Sequence, residues 1–358
     1  MKRRDFLTSA ATGVAATGLA APVYAQGNRT LTMVTSWGRG LAGVHDSAQY
    51  LADSISTMSD GALTVDLRAA GELVGAFENF DAVTAGQADM YHSADYYFTG
   101  QHPAFAFFAT VPFGMTAQEL NNWYYQGAGH ELHNELGSIF GLKSFLAGNT
   151  GPQSGGWFNR EITGVEDFQG LRFRMPGQGA EVLGKLGASV QNLPGAEVYQ
   201  ALSSGAIDGT EWIGPWADEA AGFHEITNYY YTAGFHEPGP ALTLGVNLSV
   251  FEELSPAHQK IIEQSALAAN QWTLSLFLQN NAAALKRLTQ QGVQIMEFPD
   301  DVWEAFGTAS AEVLEQHVGD PLYARILESY QQSMRDSSAW IAQTERVYAD
   351  KRDRALGL

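Results

Sequence analysis

The sequence contains no cysteine, and it is poor in basic residues, with 20 Lys and Arg against 39 Asp and Glu. The first absence excludes disulfides, thiolate catalysis and cysteine-ligated metals. The second gives a formal net charge of -19, which repels nucleic acid and anionic lipid and disfavours long-range attraction of an anionic ligand. Any anion that this protein binds must therefore be held by local positive charge, or together with a cation.

The sequence also lacks a long apolar run. The N-terminal segment has a twin arginine, Arg3-Arg4, before a short stretch of Ala, Gly, Thr and Leu, and small residues lead to Ala25. This pattern predicts a twin-arginine signal peptide over residues 1–25, cleaved after Ala25, and therefore a periplasmic protein. A membrane anchor is the alternative, but the apolar run is shorter than the roughly 20 residues that a span needs.

Alternation of strand and helix patterns follows. Thr30 to Ser36 is rich in β-branched residues, helical spacing of apolar residues runs from His45 to Met58, and an alternating strand includes Leu63, Val65 and Leu67. This order predicts an α/β fold with a parallel sheet.

Two long helices are predicted in the second half of the chain. Ser255-Pro256 is a capping serine followed by proline, and the helix that it begins extends to about Gln291. The last helix, from Asp320 to about Asp353, has a thin apolar stripe. The stripe fits a helix that folds back on its own domain, and it fits equally a helix exchanged within a C2 dimer.

The candidate site begins at Arg174, near the end of the predicted strand Leu171 to Met175, which a Pro-Gly turn follows. Arginine stays charged and presents a planar fork of donors to a carboxylate, so an arginine at a strand end suits an anionic ligand. Trp37 follows the first strand, and Tyr96 and Tyr97 follow another, where a cleft wall is expected.

Other candidate residues also fall at predicted strand or loop ends: Gln153, the pair Glu211-Trp212, and Glu237. An arginine with two carboxylates and an amide oxygen can bind an anion only if a cation lies between the ligand and the protein carboxylates. Oxygen donors suit a hard ion such as Na⁺ or Ca²⁺. Each residue also has an ordinary explanation, as a domain ion pair, a solvated carboxylate or a turn residue.

Evidence for catalysis is thin. Glu211 and Glu237 could form an acid and base pair across a cleft, as in a glycosidase, which leaves an exported hydrolase as the alternative function. His236-Glu237 lacks the HExxH spacing of a zinc site, and the serines show no GxSxG elbow. We therefore expect a protein that is not an enzyme.

Several segments resemble the periplasmic solute-binding proteins of tripartite ATP-independent periplasmic (TRAP) transporters. They are the segment Asp167 to Gly177 (DFQGLRFRMPG), then Leu193-Pro194, and the segment Ile207 to Trp212 (IDGTEW). Further segments resemble the branch of that family that binds 2-oxo acids or lactate: Gly71 to Val74, Val111 to Thr116, Gly148 to Gly151, Gly155 to Asn159, and His236 to Gly239.

The resemblance implies roles for these residues. Arg174 would bind the ligand carboxylate, and Tyr96 or Tyr97 would reach its 2-oxygen. A cation, Na⁺ or Ca²⁺, would be held by Gln153, Glu211, the Trp212 carbonyl and Glu237. Trp37, Gln153 and Trp212 are further expected contacts of the substrate. The family also contains dimers built by exchange of the C-terminal helix.

The resulting expectation is a two-domain α/β periplasmic binding protein with a central ligand cleft, a long interdomain helix and a long C-terminal helix. Domain I would comprise 26–149 plus about 239–275, domain II 150–238 plus about 276–319, and 320–358 would form a C-terminal helix that makes a homodimer. Its function would be to capture a small 2-oxo or 2-hydroxy monocarboxylate, of the pyruvate, longer 2-oxo acid or lactate type, and deliver it to the TRAP membrane subunits. A sensor-coupled binding protein is a second alternative. We expect no nucleic acid partner and no membrane insertion of the mature chain.

Overall fold

The computed structural model of the protein describes residues 28–357. The predicted signal peptide therefore lies outside the described residues. The described residues form eleven strands and thirteen α-helices. The strands are β1 Arg29–Thr35, β2 Leu63–Arg68, β3 Met90–Ser93, β4 Leu142–Asn149, β5 Gly156–Phe158, β6 Arg172–Arg174, β7 Ser189–Gln191, β8 Gly209–Thr210, β9 Tyr229–Tyr231, β10 Ala241–Asn247 and β11 Gln294–Met296. The helices are α1 Val44–Met58, α2 Asn79–Thr84, α3 Ala106–Ala109, α4 Ala117–Gln126, α5 Gly129–Ile139, α6 Gly177–Lys185, α7 Gly195–Ser203, α8 Pro215–Ala220, α9 Leu248–Glu253, α10 Pro256–Gln290, α11 Asp300–Glu315, α12 Pro321–Gln343 and α13 Glu345–Leu356.

The strands form two sheets. The first has the order β2-β1-β3-β10-β4, and the second has the order β11-β9-β5-β8-β6-β7. β1 pairs in parallel with β2 and β3, as the alternation of strands and helices predicted, whereas β10 is antiparallel to β3 and β4. The predicted α/β fold is confirmed.

Besides α9 and α10, which connect β10 of the first sheet to β11 of the second, two short segments connect the sheets. Residues 150–155 connect β4 of the first sheet to β5 of the second, and residues 232–240 connect β9 of the second sheet to β10 of the first. The two segments are hydrogen-bonded to each other: Thr150 N donates to Pro240 O at 3.1 Å and Gln153 N donates to Glu237 O at 2.9 Å. Side chains on these segments are therefore fixed where the two sheets meet.

The predicted long helix is confirmed as α10, which contacts β4 and α1 beside the first sheet and α8 beside the second. It begins where the sequence predicts, because the Ser255 hydroxyl accepts from His258 N at 3.2 Å and Pro256 is the first helical residue. None of the helices in the described part of the chain is long and apolar enough to cross a membrane.

The C-terminal region differs from the single helix that the sequence predicted. It forms α12 and α13, separated at Thr344, which has φ -120° and ψ -82°. The Thr344 hydroxyl donates to Trp340 O at 2.8 Å, and such a bond to the preceding turn competes with helix continuation. Tyr323, Ile326 and Tyr330 of α12 are buried, and α12 contacts α4 and α5, while α13 has no buried residue.

Candidate ligand and cation site

The site is built on the two segments that connect the sheets. Gln153 and Glu237 lie on them, 4% and 2% exposed, and the backbone bond between these two residues sets their spacing. Each carries a buried oxygen with no hydrogen-bond partner, Oε1 of Gln153 and Oε2 of Glu237. A buried polar atom without a partner is costly, so both oxygens are suited to a ligand.

Arg174 is the last residue of β6 and is 1% exposed. Its Nε donates to Leu193 O at 3.1 Å, and its Nη1 donates to Glu211 O at 3.2 Å and to the Glu211 carboxylate. Nη2 is buried and has no partner. The guanidinium is therefore fixed by protein contacts and keeps one donor for a bound group.

Glu211, His236 and Glu237 form a buried cluster. One ligand atom from each lies within 4.8 Å of the others, which is close enough to hold a metal ion. Among residues 28–357, no other group of three histidine or acidic side chains is found this close together. His236 Nε2 lies 3.3 Å from Glu211 Oε2. Burial and then the negative charge of Glu211 raise the pKa of Glu237 well above its usual range, against the opposing effect of Arg174. A cation beside these carboxylates would relieve their repulsion.

Aromatic side chains close the site. Tyr96 and Tyr97 form a 3-10 turn after β3, and their rings meet edge to face with centroids 4.8 Å apart. Burial raises the pKa of Tyr97 to about 12 and raises that of Tyr96 well above its usual value, so both hydroxyls stay protonated and can donate. The Trp212 ring packs against the Arg174 guanidinium, with the guanidinium carbon 5.3 Å from the ring centroid.

Trp37 is held on the same wall by a buried histidine. Its Nε1 donates to His92 Nδ1 at 2.8 Å. Burial lowers the pKa of His92 to about 4, so the imidazole is neutral and keeps a nitrogen free to accept. Trp37 follows β1 by two residues, and the pairing of Thr35 in β1 with His92 in β3 brings the indole and the imidazole together.

The predicted site residues come together in the structure. Six of them line one buried cavity of about 10 Å³: Trp37, Tyr96, Tyr97, Gln153, Arg174 and Trp212. Glu237 lines an adjoining pocket with Tyr96 and His236, and Glu211 contacts Arg174 and His236. The cavity is the size of about one water molecule, so a larger ligand requires the walls to separate.

Two features of the site were not anticipated. His236 begins a segment that resembles the 2-oxo acid branch but was not among the predicted site residues, and it contacts Glu211. The remaining cavity wall is apolar except for Thr150, and its apolar residues are Val44, Ile213, Pro240 and Leu242. The position of His236 next to Glu237 could have indicated that it belongs to the site. Nothing in the local sequence indicates that the apolar residues line the cavity.

The donor set fits a hard cation beside an anionic ligand. Glu211 and Glu237 supply carboxylate oxygens and Gln153 supplies an unpartnered amide oxygen, and these are the donors that Na⁺ and Ca²⁺ take. The ionised side chains of Arg174, Glu211 and Glu237 sum to one negative charge, and a carboxylate ligand adds a second. A buried site with that charge is costly unless a cation is present.

Comparison with known families gives a match over residues 41–320 to the DctP model, described as bacterial extracellular solute-binding protein, family 7. A curated relative is the monocarboxylate 2-oxoacid-binding periplasmic protein of Nostoc sp. (strain PCC 7120). It is 36% identical over 357 residues, covering 97% of this chain and 98% of the relative.

Solved structures of TRAP periplasmic solute-binding proteins are similar over the whole fold. The protein from Pseudoalteromonas atlantica, with bound sodium and pyruvate, is 39% identical with a TM-score of 0.87, covering 90% of this chain and 99% of that one. The protein from Colwellia psychrerythraea, with bound calcium and pyruvate, has the same identity and coverage and a TM-score of 0.88. The protein from Bordetella bronchiseptica, a mixed-occupancy dimer with calcium and picolinate, is 31% identical, covers 92% of this chain and 99% of that one, and has a TM-score of 0.89.

Proposed function

The chain belongs to family 7 of the bacterial extracellular solute-binding proteins, and from that premise we propose that it captures a small 2-oxo or 2-hydroxy monocarboxylate together with a cation. The resemblance to TRAP solute-binding proteins, and to their 2-oxo acid branch, is confirmed. The observation that carries the proposal is the convergence of unpartnered buried atoms, Arg174 Nη2, Gln153 Oε1 and Glu237 Oε2, at the junction of the sheets.

In the proposed complex the ligand carboxylate lies between Arg174 and the cation. Gln153, Glu211, the Trp212 carbonyl and Glu237 hold the ion, which is sodium or calcium, the two ions bound in the similar structures. Tyr96 or Tyr97 donates its hydroxyl to the 2-oxygen. Since both hydroxyls stay protonated, they recognise an oxo or hydroxy oxygen without adding charge.

The chemistry selects pyruvate, a longer 2-oxo acid or lactate as ligand. Pyruvate is bound in the structures from P. atlantica and C. psychrerythraea, and the curated relative binds monocarboxylate 2-oxo acids. Two features of this chain support that choice: a single arginine, Arg174, for a single carboxylate, and a cavity wall that is apolar over Val44, Ile213, Pro240 and Leu242. A dicarboxylate would place its second charge against that apolar wall.

The site also supports closure by two domains. The proposed domain I, 26–149 plus about 239–275, contains the first sheet with Trp37, Tyr96 and Tyr97. The proposed domain II, 150–238 plus about 276–319, contains Arg174, Glu211 and Trp212. A ligand that contacts both groups favours the closed state by its contacts to both domains, and the connecting segments next to Gln153 and Glu237 act as hinges.

A homodimer through residues 320–358 is part of the proposal. Trp340 and Tyr348 are 70% and 67% exposed on α12 and α13, and the similar B. bronchiseptica protein is a dimer. An exposed tryptophan and tyrosine on neighbouring helices suit a second copy, because large aromatic side chains are enriched in interfaces. Delivery to the TRAP membrane subunits then completes the transport role.

Export by the twin-arginine route is proposed for this periplasmic protein from Arg3-Arg4. Mass spectrometry of periplasmic material should give a mature terminus at Gln26, and an intact Met1 terminus would contradict the proposal. We also propose that the protein does not turn over its ligand, since the carboxylate of Glu211 is engaged by Arg174 and His236 and its relatives are solute-binding proteins.

A thermal-shift screen tests the function. Ligands that bind only the folded state stabilise it by about 2.7 kcal/mol at a concentration one hundred times Kd, equivalent to a rise in Tm of about 4 °C in a chain of this size. We expect shifts with pyruvate, longer 2-oxo acids or lactate, and none with succinate or acetate. Shifts with succinate but not with any 2-oxo or 2-hydroxy monocarboxylate would overturn the assignment.

A further inference from the structure

A second buried polar cluster lies behind the site, and it consists of Asp218, Trp157, Tyr230 and Ser154. Asp218, Trp157 and Tyr230 are 0% exposed and Ser154 is 6% exposed. They come from α8, β5, β9 and the first connecting segment. None of them lines the cavity that contains Arg174, so direct ligand contact does not explain them.

Asp218 accepts hydrogen bonds through both of its oxygens. Oδ1 accepts from Ile213 N at 3.0 Å and from Gly214 N at 3.1 Å, and Oδ2 accepts from Trp157 Nε1 at 3.0 Å. These three donors are N–H groups, so both oxygens of Asp218 act as acceptors toward them, and burial raises the pKa of the carboxyl group to about 7. An asparagine at position 218 would direct its NH₂ group at one of these N–H groups, so two donors would face each other.

The turn that Asp218 holds is the one that leads out of the site. Ile213 and Gly214 directly follow Glu211 and Trp212, whose carboxylate and carbonyl are the proposed ion ligands. β8 is only two residues long, so little regular structure fixes this segment. The two bonds to Oδ1 therefore determine where the chain goes immediately after the Trp212 carbonyl.

The same cluster reaches the other connecting segment. Ser154 N donates to Ile213 O at 3.1 Å, and the Ser154 hydroxyl bonds the Tyr230 hydroxyl. The Tyr230 ring stacks on Trp157, with centroids 4.2 Å apart. Ser154 directly follows Gln153, so the network joins two chain segments that would supply ligands to one ion.

We propose that Asp218 is a positioning residue for the cation site, fixing the Trp212 carbonyl through the Ile213-Gly214 turn and Gln153 through Tyr230 and Ser154. This inference rests on the proposed function. Groups that orient metal ligands, without touching the metal, typically change its affinity by 10–100-fold when they are removed. Asp218 is such a group, although it lies on α8 and outside the segments that hold the proposed ligands.

The test compares Asp218→Asn with Asp208→Asn. Asp208 is a matched control because its carboxylate also accepts from a backbone N–H, that of Arg172 at 3.0 Å, and lies on the same segment as Glu211, but its partner is exposed. Calcium chloride and then pyruvate are titrated calorimetrically at 15 °C into each folded variant. We expect Asp218→Asn to weaken calcium binding about 10–100-fold and Asp208→Asn to change it by less than about 2-fold.

A second readout separates positioning from general destabilisation. Terbium(III), which takes the oxygen donors that calcium takes, reports the number of coordinated waters through its luminescence lifetimes in H₂O and D₂O. If the Trp212 carbonyl is displaced, the Asp218→Asn site should gain a coordinated water, whereas the Asp208→Asn site should not. Loss of melting temperature alone would not change this number.

Tyr230→Phe carries the test if Asp218→Asn does not fold. It keeps the stack on Trp157 and removes only the hydroxyl, which bonds Ser154 and interacts with Asp218. It should weaken calcium binding about 5-fold, the equivalent of one hydrogen bond. If Asp218→Asn shows the affinity and the hydration of the wild-type protein, the inference is overturned but the proposed function is not. The same holds for wild-type affinity in Tyr230→Phe when that variant carries the test. Failure of the wild-type protein to bind calcium and pyruvate overturns the proposed function, and the inference with it.

Discussion

Replacement of Arg174 by alanine should cause the largest loss of ligand affinity of any single change. The side chain is 1% exposed and is held by Leu193 O and by both the carbonyl and the carboxylate of Glu211. Removing one member of a buried, hydrogen-bonded charge pair costs about 2–5 kcal/mol. At about 1.4 kcal/mol for each factor of ten, the Kd for pyruvate should rise by roughly 30-fold to several thousand-fold.

Arg172→Ala is the control for this change. Arg172 lies two residues earlier on β6, but its side chain is 46% exposed and pairs with Asp208 away from the cavity. Calorimetric titration of pyruvate, with calcium present throughout, should give a normal Kd for Arg172→Ala and a greatly raised Kd for Arg174→Ala. Equal affinities for Arg174→Ala and the wild-type protein, with both variants folded by circular dichroism, would refute the assignment of the carboxylate contact.

Three further predictions concern charge, pH and assembly. Glu237→Gln should raise the Tm of the cation-free protein at pH 7, because burial and Glu211 raise the pKa of Glu237 and the neutral amide removes that cost, and it should abolish stabilisation by calcium; a lower Tm or an intact calcium effect would contradict this. Burial lowers the pKa of His92 to about 4, so the folded state binds this proton only at a lower pH than the unfolded state does. Lowering the pH from 6.5 to 4 should therefore reduce the free energy of unfolding by on the order of 3 kcal/mol. Urea titrations should show a flatter pH dependence for His92→Gln, and an unchanged slope would argue against a neutral buried imidazole. Trp340→Asp combined with Tyr348→Asp should halve the mass measured by light scattering while leaving pyruvate affinity unchanged, and an unchanged mass would exclude the proposed dimer surface.

The elements that sequence predicts best are those with local signals. α10 was predicted within one residue at its C-terminal end, because Ser255 and Pro256 mark its start and helical residues follow without interruption. β1 and α1 were predicted for similar reasons. The site residues were predicted because each follows a strand, and the carboxyl ends of strands in α/β sheets meet at a common edge.

Other features depend on contacts that are distant in sequence. β4, Leu142–Asn149, was not predicted as a strand, since its glycine and asparagine are weak strand formers and its pairing with β10 supplies the stabilisation. The break at Thr344 depends on one side-chain bond within an otherwise regular helical pattern. Asp218 has no sequence signal, because its partners Trp157 and Tyr230 lie on strands that are paired only in the folded protein.

Cation dependence of ligand binding tests the central claim most directly. Wild-type protein, stripped with a chelator and dialysed into a sodium-free and calcium-free buffer, is titrated with pyruvate before and after calcium or sodium is restored. Because the ion balances the charges of Glu211, Glu237 and the ligand, we predict that affinity falls by at least about 100-fold without a cation, the equivalent of about 2.7 kcal/mol, and recovers when one of the two ions returns. Pyruvate affinity that is the same in both conditions would contradict the account.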